Sequence, residues 1–168
     1  MKIPAATLAA FALAAGLAAA APADEPLEPD RAFQPHARLV AGAHAAGGQE
    51  RHGIDIDYRI EPGYYLYRSR LRFEVSPPAL LIGPPEIPLG VDIDDPYFGK
   101  SSIFRDRVTI HLPFMVSMAR PGRYRVKITA QGCAEGRICY APFLQEVVVN
   151  IPPGYRVNDA LSPRGLPR

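Results

Sequence analysis

Two side chains in this sequence can make and break a covalent bond with each other. Cys133 and Cys139 are the only cysteines among 168 residues. They stand in Gln131-Gly132-Cys133-Ala134-Glu135-Gly136-Arg137-Ile138-Cys139-Tyr140, with small Ala134 and Gly136 and charged Glu135 and Arg137 between them. A strand-like run, Tyr124 to Ala130, leads in, and another, Phe143 to Ile151, leads out. The pair therefore belongs at a β-hairpin tip or across its first rungs, where two sulfurs come within bonding distance.

Two chemistries fit such a pair. One is a structural staple, which stabilises by closing a loop in the unfolded chain. For a loop of about seven residues the chain-entropy relation gives roughly 2.4 kcal/mol, against about 4.7 for 100 residues. The hairpin already holds its strands together, so a bridge here adds little. The other is a reversible dithiol, for which closeness in sequence is an advantage. Spacing alone leaves the two open.

The rest of the chain has to position the pair. Met1 to Ala23 reads as a secretory signal, with Lys2 as its positive end, Ala5 to Ala21 as its apolar run and Ala21-Pro22-Ala23 as a small-x-small cleavage site. A membrane anchor is the weaker reading, because the run is mostly alanine and lacks a basic stop-transfer flank. Cleavage leaves Asp24 to Arg168, enough for one domain with one core. Export to an oxidising compartment makes a disulfide the default resting state. The formal charge of +2 falls by one with Lys2, and gives no reason to expect nucleic acid or an anionic membrane as partner.

Residues 24–35 are rich in proline and charge and read as a loose arm. Ala41 to Gly48 reads as a loop or a poor edge strand. Ile54, Ile56, Tyr58 and Ile60 alternate with Asp55, Asp57 and Arg59, a half-buried strand with one wet face. After the Glu61-Pro62-Gly63 turn, Tyr65, Tyr67, Leu71, Phe73 and Val75 alternate with arginines as one longer strand. Ser76 to Gly90 holds prolines 77, 78, 84, 85 and 88, so it is an extended connection with short edge pieces. Strands follow around Phe104–Pro113, Tyr124–Ala130 and Val147–Ile151, and residues 152–168 read as a Pro-rich disordered tail. Short strands with Pro and Gly turns, and no helical period after the signal, point to an all-β fold, an antiparallel β-sandwich. The usual immunoglobulin pairing of distant cysteines around a tryptophan is missing, since tryptophan is absent.

Three stretches carry a resemblance. They are Gly63-Tyr64-Tyr65-Leu66-Tyr67-Arg68, then Asp95-Pro96-Tyr97-Phe98-Gly99-Lys100 with Phe104-Arg105-Asp106-Arg107, and finally Gln131 to Pro142. In order, wording and spacing they resemble the N-terminal periplasmic domain of the DsbD thiol:disulfide interchange family, from about Phe33 to Ile151. The resemblance implies an immunoglobulin-like β-sandwich over residues 36–151 with a redox-active disulfide matching Cys133 and Cys139. It implies that the second cysteine, here Cys139, forms the mixed disulfide with partners. It implies a cap loop, Asp95, Pro96, Tyr97, Phe98 and Gly99, over the pair. The implied partners are periplasmic thioredoxin-like proteins, of the disulfide isomerase or cytochrome c maturation type, and a membrane-linked electron donor. Full-length members continue into a transporter and a thioredoxin-like domain that this sequence does not show, so the donor is expected to be a separate chain. Two departures stand out. Pro96 replaces a second acidic residue of the family stretch, and Tyr97-Phe98 reverses a phenylalanine-tyrosine order.

The residues suit that chemistry on their own terms. A thiol pair in an oxidising compartment needs shielding, which aromatic Tyr97 and Phe98 beside flexible Gly99 would supply, with Tyr65 and Tyr67 as a floor. Core packing explains Tyr65 or Tyr67 taken singly equally well. A carboxylate such as Asp95 near a thiol disfavours the thiolate and raises its pKa. His36, His44 and His52 lack the spacing of a zinc site and read as solvated loop residues, and His111 reads as a surface residue on its strand. No cofactor or metal is expected. The competing function is a non-catalytic secreted binding module with a structural disulfide.

Overall fold

The computed structural model describes residues 25–44, 50–77, 82–115 and 120–155. The expected signal stretch, 1–23, lies outside them, as does the tail beyond Tyr155. A four-residue helix α1 (Pro29–Ala32) precedes β1 (Phe33–His44), β2 (Glu50–Ile60) and β3 (Tyr64–Tyr67). A 3-10 turn, Arg68–Arg70, separates β3 from β4 (Arg72–Ser76). Then come β5 (Val91–Asp95), β6 (Gly99–Phe104), β7 (Arg107–Pro113), β8 (Gly122–Ala130), β9 (Gly132–Ala134), β10 (Ile138–Cys139) and β11 (Phe143–Ile151).

The strands form three sheets, ordered β1-β2-β7, β11-β8-β4 and β10-β9-β3-β6-β5, with antiparallel pairing between all neighbours. The first two sheets make the sandwich. Ile54, Ile56 and Tyr58 of β2 and Val108, Ile110 and Leu112 of β7 share one core with Tyr124, Val126 and Ile128 of β8 and Val149 and Ile151 of β11. The alternation of these residues with mostly polar ones selects strand over helix, because successive side chains on a strand face opposite ways. The third sheet is built from continuations. β3 follows β2, β6 runs into β7, β9 follows β8 and β10 runs into β11, each after a few residues. It therefore sits at one end of the sandwich and carries the cysteines. The immunoglobulin-like β-sandwich is the fold found.

Several local expectations need correcting. The single strand expected over Tyr65–Val75 is two strands in different sheets, joined by the 3-10 turn. Tyr64–Tyr67 is buried on both faces, and the chain crosses to the second sheet where Arg68, Ser69 and Arg70 interrupt that burial. The arm expected over 24–35 is anchored at its end. Ala32 and Phe33 are fully buried, and the Phe33 ring packs against Tyr64, Tyr140 and Phe143. β1 continues through His44 at the edge of its sheet, so of the two readings for Ala41–Gly48 the edge strand holds as far as His44. Residues 152–155 turn back so that buried Tyr155 donates its hydroxyl to the Val40 carbonyl at 2.7 Å.

His111 is buried, not on the surface, and so is Asp55 on the supposedly wet face of β2. The two are register partners, and His111 Nδ1 lies 2.6 Å from Asp55 Oδ1. Gly53 makes the room: a Cβ there would fall 2.7 Å from Cε1 of His111. His52 is likewise buried on β2, its ring 6.3 Å from that of Tyr155. Residues 82–90 of the Pro-rich connection make isolated bridges at Ile82–Phe114 and Glu86–His111.

Candidate redox site

β9 and β10 are the arms of the hairpin that the cysteine spacing predicts. Residues 135–137 form the turn, with Gly136 at φ 69°, and Cys133 pairs with Cys139 across a rung. The two sulfurs are bonded and the Cα atoms are 4.0 Å apart. β9 also pairs with β3, which sets Cys133 opposite Tyr65. That approach requires Gly132, where a Cβ would fall 2.4 Å from the Tyr65 carbonyl oxygen and 2.6 Å from Cζ of Phe33.

Neighbouring side chains on β3 point to opposite faces. Tyr64 and Leu66 join the main core, whereas Tyr65 and Tyr67 join a small cluster with Ile103 and Cys133, against which Ile93 and Cys139 pack. The Tyr67 hydroxyl oxygen is 3.1 Å from Sγ of Cys133 and 3.7 Å from Sγ of Cys139. Its proton goes elsewhere. Tyr67 donates to Oδ2 of Asp95 at 2.6 Å, and Tyr65 donates to the same oxygen at 2.8 Å. A hydroxyl has one proton and a disulfide has none, and a bond to a carboxylate is the stronger choice. Tyr67 therefore turns oxygen lone pairs towards the sulfurs.

Asp95 ends β5 and is 4% exposed. Its other oxygen, Oδ1, accepts the backbone N–H groups of Tyr97 at 2.8 Å and Phe98 at 3.0 Å, and Gly99 at φ 66° closes the turn. Burial pushes the carboxyl up, but hydrogen bonds from Tyr67, Tyr65 and the two backbone amides outweigh it and hold it below the ordinary range. Burial and the bond to Asp95 both push the Tyr67 hydroxyl up, and burial chiefly raises that of Tyr65. Both phenols thus stay protonated while Asp95 is ionised. One carboxylate ties the turn 96–98 to the floor residues. It reaches the sulfurs through Tyr67, a link more specific than the simple proximity expected from sequence.

The two aromatics of the turn are not equivalent. Phe98 packs edge-on against Tyr67, with ring centroids 5.2 Å apart at 85°. Tyr97 is 66% exposed, against 42% for Phe98. Together with Pro96, Tyr65, Arg105, Ile138 and Cys139, Tyr97 lines an open cleft. Cys133 is 1% exposed, while Cys139 is only half-buried. Of the two cysteines, Cys139 is the less buried.

Residues 23–151 match the family model of the thiol:disulfide interchange protein DsbD, N-terminal. The chain belongs to the DsbD N-terminal family. It is 38% identical over 125 residues to the thiol:disulfide interchange protein DsbD of Escherichia coli K12, covering 71% of this chain and 20% of that protein. Against the Cronobacter sakazakii protein it is 42% identical over 94 residues, 56% of this chain and 16% of that one. The chain thus spans about a fifth of the length of these relatives. Among solved structures it resembles the reduced DsbD N-terminal domain of Neisseria meningitidis, with a TM-score of 0.60 and 28% identity over 75% of this chain and 90% of that one. It also resembles the structure titled as the complex between the DsbD N-terminal and PilB N-terminal domains of the same organism, with a TM-score of 0.56, 27% identity, and coverage of 74% and 88%.

Three residues of this DsbD-family site were not singled out from sequence. Arg105 makes a two-pronged ion pair with Glu135, at 2.6 and 2.7 Å, and its guanidinium lies 5.2 Å from the Tyr65 ring centroid. Arg105 holds the Glu135 carboxyl below its ordinary range. The pair clamps the cysteine hairpin turn to the β6–β7 connection. Arg70 is the third, with its guanidinium 4.9 Å from the Phe98 ring centroid. Arginine 105 stood in a quoted motif, yet nothing in a sequence marks which distant carboxylate it meets.

Proposed function

We propose that this domain is a periplasmic thiol-disulfide relay that passes electrons through the Cys133–Cys139 bridge to thioredoxin-like proteins. The observation that carries the reading is the asymmetry of the bridge. Cys133 is buried against Tyr67, and the less buried Cys139 borders a cleft rimmed by Tyr97. A donor thiolate attacks Sγ of Cys139, the S–S bond breaks, and Cys133 leaves as a thiolate that takes up a proton. The donor's second thiol then resolves the mixed disulfide, so two electrons and two protons reach the pair and the donor becomes a disulfide. In the forward transfer the Cys139 thiolate attacks a partner's disulfide and Cys133 resolves the adduct. Asp95, Pro96, Tyr97, Phe98 and Gly99 act as the cap between encounters, and Tyr65 and Tyr67 as the floor.

Asp95, ionised behind Tyr67, disfavours a thiolate at Cys133 and slows unwanted exchange. The solved DsbD N-terminal neighbour in complex with a PilB domain supports a surface made to dock a second protein domain. Disulfide isomerases and cytochrome c maturation factors are the acceptor classes proposed, and a membrane-linked thioredoxin-like domain is the donor class. Export through the signal at residues 1–23 would deliver the domain to that compartment. Among the described residues no helix is long and apolar enough to cross a membrane.

Trapping tests the roles. Cys133→Ala should accumulate a mixed disulfide with a thioredoxin-like domain through Cys139, and Cys139→Ala should not. The reverse pattern exchanges the roles. No adduct with either variant would leave a structural bridge.

A further inference from the structure

Three arginines follow one another at alternate positions where the chain leaves the cysteine-bearing sheet, and they are used differently. Arg68 spends its guanidinium on backbone carbonyls, donating to Pro88 at 2.7 Å and Ile87 at 3.0 Å. Arg72 donates to the carbonyls of Ser69 at 3.0 Å and Leu71 at 2.8 Å. Arg70 instead lies over the Phe98 ring, and among the described residues it has no carboxylate partner. Phe98 thereby makes two contacts, a T-shaped one with the Tyr67 ring and one with the Arg70 guanidinium. A planar, weakly hydrated guanidinium suits an aromatic face better than an ammonium does.

We propose that Arg70 is a positioning residue that latches the cap: its guanidinium keeps Phe98 on Tyr67 and so sets how often the sulfurs are uncovered. The proposal deepens the relay reading by naming what holds the cap shut. To uncover Tyr67, Phe98 must give up its contact with the Arg70 guanidinium as well. The cap turn is otherwise held by Asp95, which grips the backbone of residues 97 and 98 and leaves the Phe98 ring free to swing. The latch is accordingly a side-chain device, separable from the turn itself. A partner that offers Arg70 a carboxylate or a carbonyl would compete with Phe98 for the guanidinium, coupling docking to opening.

The test is the rate at which the oxidised domain is reduced by excess dithiothreitol and, separately, by cysteamine. Arg70→Ala should speed reduction by roughly 2–5-fold with both reagents, the range expected for losing an exposed cation–π contact. Arg70→Lys should recover part of the protection. In a Phe98→Ala background the Arg70→Ala change should have no further effect, because the latch then has nothing to hold. The proposal is overturned by an unchanged rate, or by an Arg70→Ala effect that persists without Phe98. It is equally overturned if dithiothreitol slows while cysteamine does not, which would make Arg70 an attractor of thiolates. Thermal unfolding of each variant checks that the fold is kept. These rates report the cap with no partner present. Failure of the relay reading would show separately, as absence of trapped adducts while the Arg70–Phe98 coupling stands.

Discussion

Tyr64 and Leu66 face one way from β3, and Tyr65 and Tyr67 face the other. The first pair enters a large apolar core shared by both sandwich sheets. The second enters a small cluster of two tyrosines, Ile103 and a cysteine, organised by a buried carboxylate. The large core is held by area removed from water, which is non-directional and tolerates no opening. The small cluster is held by directed bonds to Asp95 and by a cap turn whose two aromatics remain partly exposed. One strand thus divides its side chains between a large apolar core and a small polar-organised cluster. On the proposed relay reading, stability belongs to the first face and exchange chemistry to the second.

The largest effect should come from the core side. Leu66→Ala removes a fully buried side chain and should cost about 2–5 kcal/mol in urea unfolding. Its effect on the reduction rate of the folded protein should be small by comparison. Equal losses of stability from Leu66→Ala and from Tyr67→Phe would erase the distinction between the two faces.

Reducing the bridge comes next. The loop it closes is short, so its loss should cost roughly 2.4 kcal/mol, less than a typical domain stability of about 5–15 kcal/mol. Reduced protein should keep its β-sheet circular dichroism and melt cooperatively. Unfolding on mild reduction at room temperature would show that the cluster face carries the fold.

Cap substitutions should divide along the line the geometry draws. Phe98→Ala, which removes the ring from Tyr67, should speed reduction by dithiothreitol roughly 2–12-fold, the equivalent of an aromatic pair worth about 0.5–1.5 kcal/mol. Tyr97→Ala should do less, since that ring rims the cleft. The reverse order would assign the covering role to Tyr97.

The gentlest probe is acid. The Asp95 carboxyl is depressed in the folded protein, so its contribution to stability is fully present above the unfolded value of about 3.9 and is lost as pH falls through the lower folded value. Asp95→Asn should flatten the acid limb of stability in urea titrations, with a smaller change from Glu135→Gln. An acid limb unchanged by Asp95→Asn would detach the carboxylate from the cluster.

Much of this was legible in the sequence, for reasons that can be named. Strict alternation in β2, β7 and β8 fixes strands and inward faces, and two cysteines flanking a short, small-residue turn fix a hairpin. Tyr65, Tyr67, Asp95 and Phe98 stand in the motifs that carry the family resemblance, and the fold brings them into contact. What was illegible depends on contacts between distant residues. Alternation from Tyr65 to Val75 is broken only at Leu66 and Ser69, and one polar residue at an apolar position does not mark a sheet change at Arg68–Arg70. His111 occupies an outward register, and its burial depends on the space left by Gly53 and on a carboxylate across the strand pair. The arm ending at Phe33 has a composition that suggests disorder, but one buried aromatic anchors it. Arg70 on Phe98 and Arg105 on Glu135 depend on the fold that joins them.

The most direct test is the reduction potential of the Cys133–Cys139 bridge, measured by equilibrating the domain with thiol-disulfide buffers of graded composition. A relay pair should equilibrate well above about −300 mV, and Asp95→Asn should shift the value. A bridge that stays oxidised until below about −300 mV, with no response to Asp95, would be structural and would contradict the account.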